Sequence, residues 1–342
     1  MPLSVDEFRG PAEAWDGFVR TQAAWTHCHL HGWKTVMERA LGHECLYLAA
    51  REPDGTLAGV LPLVRVKSLW FGHYLVSMPF LNYGGPLGSD PAVRALVEHA
   101  QGLAAHGRVK LLELRSPTPL PVGLPVSHRK VAVLLDLTPG EPETVWNGIS
   151  PRLKSYVRRT QKAGVTVAFG ADQIPDFYRV FAPHMRELGT PTHARRLFET
   201  IVATFPDDVW VGCARHGDQP VACGLALRWR DEIEVTWASA LSNGDGLRPN
   251  VLLYWAFLER AAREGLRRFN FGRSTPGSGP HEFKRRWGGH DEPLWWYECA
   301  AAAGTTTPSP ESQTYALGVR LWKHLPLALT TALGPRIVRY LP

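Results

Sequence analysis

The residues richest in chemistry lie between 268 and 288, RFNFGRSTPGSGPHEFKRRWG. Phe269 and Phe271 alternate with Asn270 and Gly272 as in a buried strand, a turn-rich break follows, and Lys284, Arg285, Arg286 and Trp287 come next. A strand that hands over to a glycine-bearing cationic loop allows close backbone approach and offers positive charge to an anion, and α/β proteins keep their chemistry at such junctions. A second cationic run, SPRLKSYVRRTQKAG at 150–164, contains five basic residues and no acidic ones. Ser150 suits an N-cap, Pro151 the first helical position and Gly164 the C-terminal cap, so the run reads as a helix. Lys154, Arg158 and Lys162 recur every four residues as one stripe, without acidic partners, that either faces solvent or holds an anion. Arg152, Arg158 and Arg159 are the best matched to phosphate, because a guanidinium binds it through two parallel hydrogen bonds.

These residues must be held by regular elements. Ahead of 268 the sequence reads strand (232–240), polar loop LSNGDGLRPN, helix (251–264), then the strand itself. In this layout a helix N-terminus can receive a phosphate or a carbonyl oxygen, with Gly244, Asp245 and Gly246 in the loop. Further back, strand-like runs at 209–215 and 221–229 flank HGDQP, as runs at 45–51 and 57–66 flank EPDG. LYLAAR with LAGVLPL matches WVGCAR with VACGLAL, Leu46 to Trp210 and Leu57 to Val221 sharing one offset, so a duplicated α/β domain is expected. The first half also shows a helical pattern over 12–41, a turn at Asn82, Tyr83, Gly84, Gly85 and Pro86, a helix at 91–106 and a strand at 110–114. The turn either closes a strand or forms one wall of a cleft. His27, His29 and His31 form H-x-H-x-H, but alternate residues of a helix stand roughly 200° apart, so no metal site is expected.

Composition sets outer limits. A chain of 342 residues is long for one core and predicts two domains; 44% hydrophobic and 20% charged residues describe a globular protein, and a net charge of +6 favours an anionic partner. Five cysteines without C-x-x-C spacing fit buried thiols in a reducing cytosol. The N-terminus lacks an apolar signal core, and no window approaches the roughly 18 apolar residues of a membrane span, so a cytoplasmic protein is expected. Residues 300–312, AAAAGTTTPSPES, read as a linker. Beyond them Leu317, Val319, Leu321, Trp322 and Leu325 mix with Arg320, Lys323 and His324, which fits either a membrane-surface segment at the inner membrane or packing back on a domain.

Several motifs in one order resemble the FemAB group of the GNAT acyltransferase superfamily, in the BioF-like branch associated with PEP-CTERM/exosortase systems. They are GVLPL (59–63), SMPFLNYGGPL (77–87), RLKSYVRRTQKAGV, GTP (189–191), RPNVLLYWAF (248–257), FNFGRS (269–274) and FKRRWG (283–288). The resemblance implies an α/β (α+β) protein of two tandem GNAT-like domains around a cleft: 1–137, 138–300 with the catalytic site, and a linker and tail at 301–342. It implies N-acyl transfer from an activated ester or thioester, aminoacyl-tRNA or an acyl-CoA or acyl-carrier thioester, to an amine of a cell-envelope or exopolysaccharide precursor, with no metal and no permanently bound cofactor. Lys284 matches the family's F-K lysine, which stabilises charge; Arg273 is its alternate. Glu282, His281 and Asp245 are the nearby groups able to accept a proton. Arg152, Arg158, Arg159, Asn82, Tyr83, Asn250, Gly272 and Trp287 are the expected substrate-binding residues. The Q/R-x-x-G-x-G/A loop of coenzyme A-dependent members is not visible in SNGDGLRPN. Two rivals therefore stand beside aminoacyl transfer: a coenzyme A-dependent N-acyltransferase, and a non-catalytic protein that holds an anionic polymer or tRNA.

Overall fold

The structure, a computed structural model, describes residues 3–68, 72–241, 246–300 and 313–340. Asp245, Gly244 and the linker expected at 301–312 lie outside the described residues. The first elements in chain order are β1 (Ser4–Glu7), α1 (Ala12–Thr21), α2 (Gly32–Val36), β2 (Glu44–Arg51), β3 (Leu57–Ser68), β4 (Gly72–Val76), β5 (Leu87–Gly88), α3 (Asp90–His106), β6 (Leu111–Ser116) and β7 (Val126–Ser127). There follow β8 (Val131–Asp136), α4 (Pro142–Gly148), α5 (Pro151–Lys162), β9 (Val165–Phe169), α6 (Ile174–Leu188), α7 (Arg195–Thr204), β10 (Val209–His216), β11 (Gln219–Trp229) and β12 (Glu232–Ala240). The chain then forms α8 (Pro249–Arg263), β13 (Arg268–Ser274), α9 (Gly279–Arg285), β14 (His290–Pro293), β15 (Trp295–Ala300), α10 (Gln313–His324) and α11 (Leu327–Val338).

Two compact units result: Met1–Arg129 with Pro293–Ser312 and Arg336–Pro342, and Lys130–Glu292 with Gln313–Pro335. The first holds a sheet in the order β1-β2-β3-β4-β6-β15-β7, with β5 on β3; the second holds β14-β8-β13-β12-β11-β10-β9. The division differs from a boundary after 137 and a second domain ending at 300. β8 pairs with β13 in the second sheet, and β15 returns to pair with β6 in the first. Local hydrophobic patterns do not encode such long-range pairings.

The predicted duplication is present in both units as a hairpin, a strand, a helix and a parallel strand: β2–β3, β4, α3, β6 and β10–β11, β12, α8, β13. Each helix lies close on its sheet because glycine makes room. In the second unit a Cβ on Gly212 or Gly224, which are partners across β10–β11, would come within 2.9 Å of the Phe257 ring of α8. In the first, a Cβ on Gly59 would meet Ala92 of α3 at 2.9 Å. The core beneath α8 gathers Val157, Leu258, Phe269, Phe271 and Trp287, and Phe177, Phe181 and Phe198 form a ring cluster between α6 and α7.

The helix expected over 12–41 is broken. Thr26 caps a tight turn at His27–His29, its Oγ1 accepting the Cys28 amide at 3.3 Å while His29 Nδ1 accepts the Thr26 amide at 3.0 Å. Carbonyls in this turn receive two buried indoles, Trp33 on His27 at 2.9 Å and Trp15 on His29 at 2.8 Å. Burial pushes His27 down to about 3, so the imidazole is neutral in the core. The tail packs back on the second unit, where Gly189 at the end of α6 lies beside Val319 and Lys323, and Gly334 beside the Thr192 backbone. Among the described residues no helix is long and apolar enough to cross a membrane.

Candidate functional site

Among the described residues each unit contains one short parallel pair whose strands part after three registered residues. In the first unit β4 and β6 pair from Tyr74–Leu111 to Val76–Glu113; in the second β12 and β13 pair from Glu232–Arg268 to Glu234–Asn270. A split between neighbouring strands frees backbone donors and acceptors that need partners. The first unit supplies them from its own chain. The Ser77 amide bonds Glu113 O at 2.9 Å, the Gly85 amide bonds Arg115 O at 2.6 Å, and Arg115 Nη1 donates to the carbonyls of Met78 (3.1 Å) and Leu81 (2.7 Å). Arg115 is itself paired to Glu113 at 2.6 Å and lies over Trp296, whose indole donates to Asn82 O. Asn82 and Tyr83, expected to bind substrate, are buried at 4% and 6% exposure within this closing segment.

The split of the second unit is lined differently. Glu232, Glu234 and Asn270 share one face of the paired strands, since their positions differ by two along each strand. Asn270 Nδ2 donates to Glu232 Oε1 at 3.0 Å, its Oδ1 accepts the Gly272 amide at 2.8 Å, and Thr236 Oγ1 donates to Glu234 Oε1 at 3.1 Å. Both strands bulge at this level. On β12 the register steps from Val235–Ala226 to Trp237–Leu225, leaving Thr236 as the extra residue. On β13 Phe271 and Gly272 face the single residue between Ala132 and Leu134 of β8. Gly272 has φ +74°, a conformation only glycine adopts without strain. Bulges re-aim backbone and side chains, and are over-represented beside active sites. Burial raises the Glu232 carboxyl to about 7, against the lowering effects of Asn270 and Arg268, so it titrates near neutrality.

Lys284 reaches this bulge from α9. The cationic stretch after β13, expected as a loop, contains this helix, which Ser278 caps, its Oγ accepting the His281 amide. Lys284 is 9% exposed, and its Nζ donates to the carbonyls of Gly272 at 3.1 Å and Arg273 at 2.8 Å. An ammonium has three protons, so one is left for a ligand. Burial lowers its pKa to about 8; the Glu234 carboxylate pulls it up and Arg273 pushes it down. The Ser274 hydroxyl, at the end of β13, is buried without a hydrogen-bond partner among the described residues.

Other expected residues separate from this cluster. Glu282 is exposed, two positions from Lys284 and hence on the opposite side of α9. His281 has both nitrogens engaged: Nδ1 accepts the Gly277 amide at 3.1 Å and Nε2 lies 3.0 Å from both Asp291 oxygens, which ties α9 to β14 and leaves no lone pair for a substrate proton. Trp287 is a core residue at 1% exposure beside Phe271 and Tyr254, not a surface for substrate. On α5 the every-fourth stripe is partly occupied, Lys154 and Arg158 lying over Trp146. Arg152 instead donates to Tyr156 Oη at 3.0 Å, and its guanidinium and that of Arg248 both lie over the Tyr156 ring. The Arg152 hydrogen bond, with positive charge from Arg152, Arg248 and Arg286, lowers the Tyr156 phenol. Arg159 is exposed and closely approaches Gly246, while Asn250 stands half-buried in the first turn of α8. Arg248, Arg286 and Tyr156 were missed as a group because they come from three elements. Among the described residues no cluster of three or more His, Cys, Asp or Glu could hold a metal ion.

Residues 150–285 match the family described as Acetyltransferase (GNAT) domain. That span lies within the second unit, which is similar to a GNAT acetyltransferase domain. No curated protein sequence matches the chain. Solved structures extend the likeness over both units. A FemX crystal structure aligns with TM-score 0.62 at 14% identity, covering 85% of this chain and 97% of FemX. The structure of L-PGS from Bacillus licheniformis aligns with TM-score 0.55 at 13% identity, over 93% of this chain and 99% of that one. A tandem GNAT protein from the clavulanic acid biosynthesis pathway aligns with TM-score 0.53 at 14% identity, over 89% and 100%. The chain thus has a mixed α/β fold of tandem GNAT architecture.

Proposed function

We propose that the second unit transfers an aminoacyl or acyl group from an activated ester or thioester to an amine of a cell-envelope or exopolysaccharide precursor. The observation that carries this reading is Lys284, held on the Gly272 and Arg273 carbonyls at the mouth of a parallel strand split. The amine nitrogen attacks the carbonyl carbon, a C–N bond forms, the carbonyl oxygen gains negative charge, and the C–O or C–S bond then breaks. The amine proton is lost and the leaving oxygen or sulfur gains one, so the products are an amide and an alcohol or thiol. The third Lys284 proton offers a fixed donor to that charge in a site shielded from water, which is often the largest catalytic contribution. Glu232, titrating near 7, supplies a buried carboxylate in the same network. Arg152, Arg248 and Arg286 supply the positive field for an anionic donor such as tRNA or coenzyme A.

FemX and L-PGS among the similar structures favour an aminoacyl donor and an envelope acceptor, and a tandem GNAT protein keeps an acyl-CoA donor in play. The test is product formation. Purified protein is given aminoacyl-tRNA or acyl-CoA with a panel of amine-bearing nucleotide-sugar and lipid-linked precursors, and new amides are sought by mass spectrometry. An amide that forms with the native chain and not with Lys284→Met supports the reading. Tight donor binding with no amide from any pair would return the protein to the binding class.

A further inference from the structure

Large apolar side chains are exposed in one region of the described chain. They are Leu188 at 52%, Leu321 at 62% and Leu329 at 41%, at the end of α6, on α10 and on α11. The two tail helices are joined by Leu325 and Pro326, and one face of each packs on the second unit. Val319 and the Lys323 stem lie beside Gly189, while Thr330 is 1% exposed and Gly334 meets the Thr192 backbone. Helical phase turns the other face outward: Leu321 stands about 200° around α10 from Val319, and Leu329 with Ala332 occupies the exposed side of α11.

The charge on this region has one sign within the helices themselves. Residues 313–340 include Arg320, Lys323, Arg336 and Arg339 and no Asp or Glu; Glu187 stands on the adjoining turn of α6. Arg320 is exposed next to Leu321, while Lys323, also exposed, stands about 200° from Leu321 on the side of α10 that adjoins Gly189. Between α6 and α11 a cleft of about 480 Å³ is lined by Tyr178, Ala182, Pro183, Leu327 and Thr331, with Arg179 among its walls. Each tail helix has 12 residues, too short to span a bilayer. Exposed leucines beside an arginine, on helices that carry basic residues and no acidic ones and pack along their own domain, form the chemistry of an interfacial element.

We infer that the α10–α11 face docks this protein on an anionic lipid surface. The leucines enter the acyl boundary while Arg320 meets lipid phosphates, and α6 holds the pair in place. This reading is independent of the transfer reaction. Flotation of the full chain with phosphatidylcholine vesicles, with and without 30% phosphatidylglycerol, tests it, with far-UV circular dichroism confirming that each variant is folded. The expected result is binding to phosphatidylglycerol-containing vesicles alone, weakened by salt, about fivefold weaker for Arg320→Gln and at least about tenfold weaker for Leu321→Ser/Leu329→Ser. Absence of binding to the anionic vesicles, or binding that neither variant changes, overturns the inference. So does a concentration-dependent dimer that disappears in the leucine variant while no vesicle is bound, since the face is then a self-interface.

Discussion

Removing the charge at Lys284 tests the candidate site in two independent ways. In the unfolded chain a lysine titrates near 10.4, whereas burial lowers Lys284 to about 8. Below pH 8 both states are protonated, and the cost of burying the charge is fully present, about 3 kcal/mol from a difference of roughly 2.4 pH units. Between about 8 and 10.4 the unfolded state binds more protons, so native stability rises with pH. Lys284→Met lacks this dependence, but loses the bonds to Gly272 and Arg273, each worth about 1 kcal/mol. Urea unfolding at pH 7 and pH 10.4 should therefore show the native chain gaining about 3 kcal/mol on the variant as pH rises. Kinetics gives the second test. If the ammonium stabilises developing charge, Lys284→Met lowers kcat about a hundredfold at pH 7. Dividing the native pH–rate profile by that of Lys284→Met removes titration of the acceptor amine, and the ratio should fall above pH 8. Lys284→Arg, charged throughout, should not show that fall. A ratio that rises through pH 8 would refute charge stabilisation in favour of neutral-amine chemistry, and a stability difference unchanged with pH would refute the burial argument itself.

Other expectations follow from single residues. Glu232, raised to about 7, contributes stability that is complete below the ordinary carboxyl range near 4.5 and lost as pH rises through 7. Glu232→Gln should thus be about 3 kcal/mol more stable than the native chain at pH 8 and equal to it at pH 4, by thermal or urea unfolding. Gly272→Ala, placed at φ +74°, should lose about 1–2 kcal/mol in urea unfolding and lower kcat by shifting the carbonyl that holds Lys284. Arg248→Ala should raise the KM for an anionic donor about tenfold with kcat nearly unchanged, the loss of one charge-assisted contact. Arg115→Met leaves Glu113 buried without its partner and should cost about 3–5 kcal/mol of stability.

The sequence revealed what local patterns encode and missed what pairing creates. Two hairpins with matching strands announced the duplication, and Ser150, Pro151 and Gly164 bounded α5 because caps are local chemistry. The helix at α9 carried the same kind of signal, Ser278 followed by Pro280, but the surrounding glycines and prolines made it read as a turn. β8 and β15 could not be assigned to their sheets, since the partners that recruit them are more than a hundred residues away. Within the candidate site, a strand running into a glycine-bearing cationic stretch was visible in the sequence, and Lys284 was singled out there by the resemblance to the F-K motif. Glu232, Glu234 and Thr236 were not, although charged residues alternating in EIEVTW are unusual on a central strand and mark a face that needs polar partners.

The two strand splits show how one frame gives two outcomes. A parted parallel pair leaves backbone groups that something must satisfy. In the first unit an arginine at 2% exposure, paired to Glu113, draws in the carbonyls of Met78 and Leu81, and the chain becomes its own ligand. The α3 helix behind it begins with a Ser89 cap and Asp90, which already satisfy and neutralise that helix end. In the second unit the split meets a lysine and two bulges, and α8 begins at Arg248 with no side-chain cap. Its terminal amides and the neighbouring arginines favour an anion from outside the chain. The asymmetry is what supports the proposal of chemistry in the second copy, the first closing the same succession of hairpin, strand, helix and strand with its own chain.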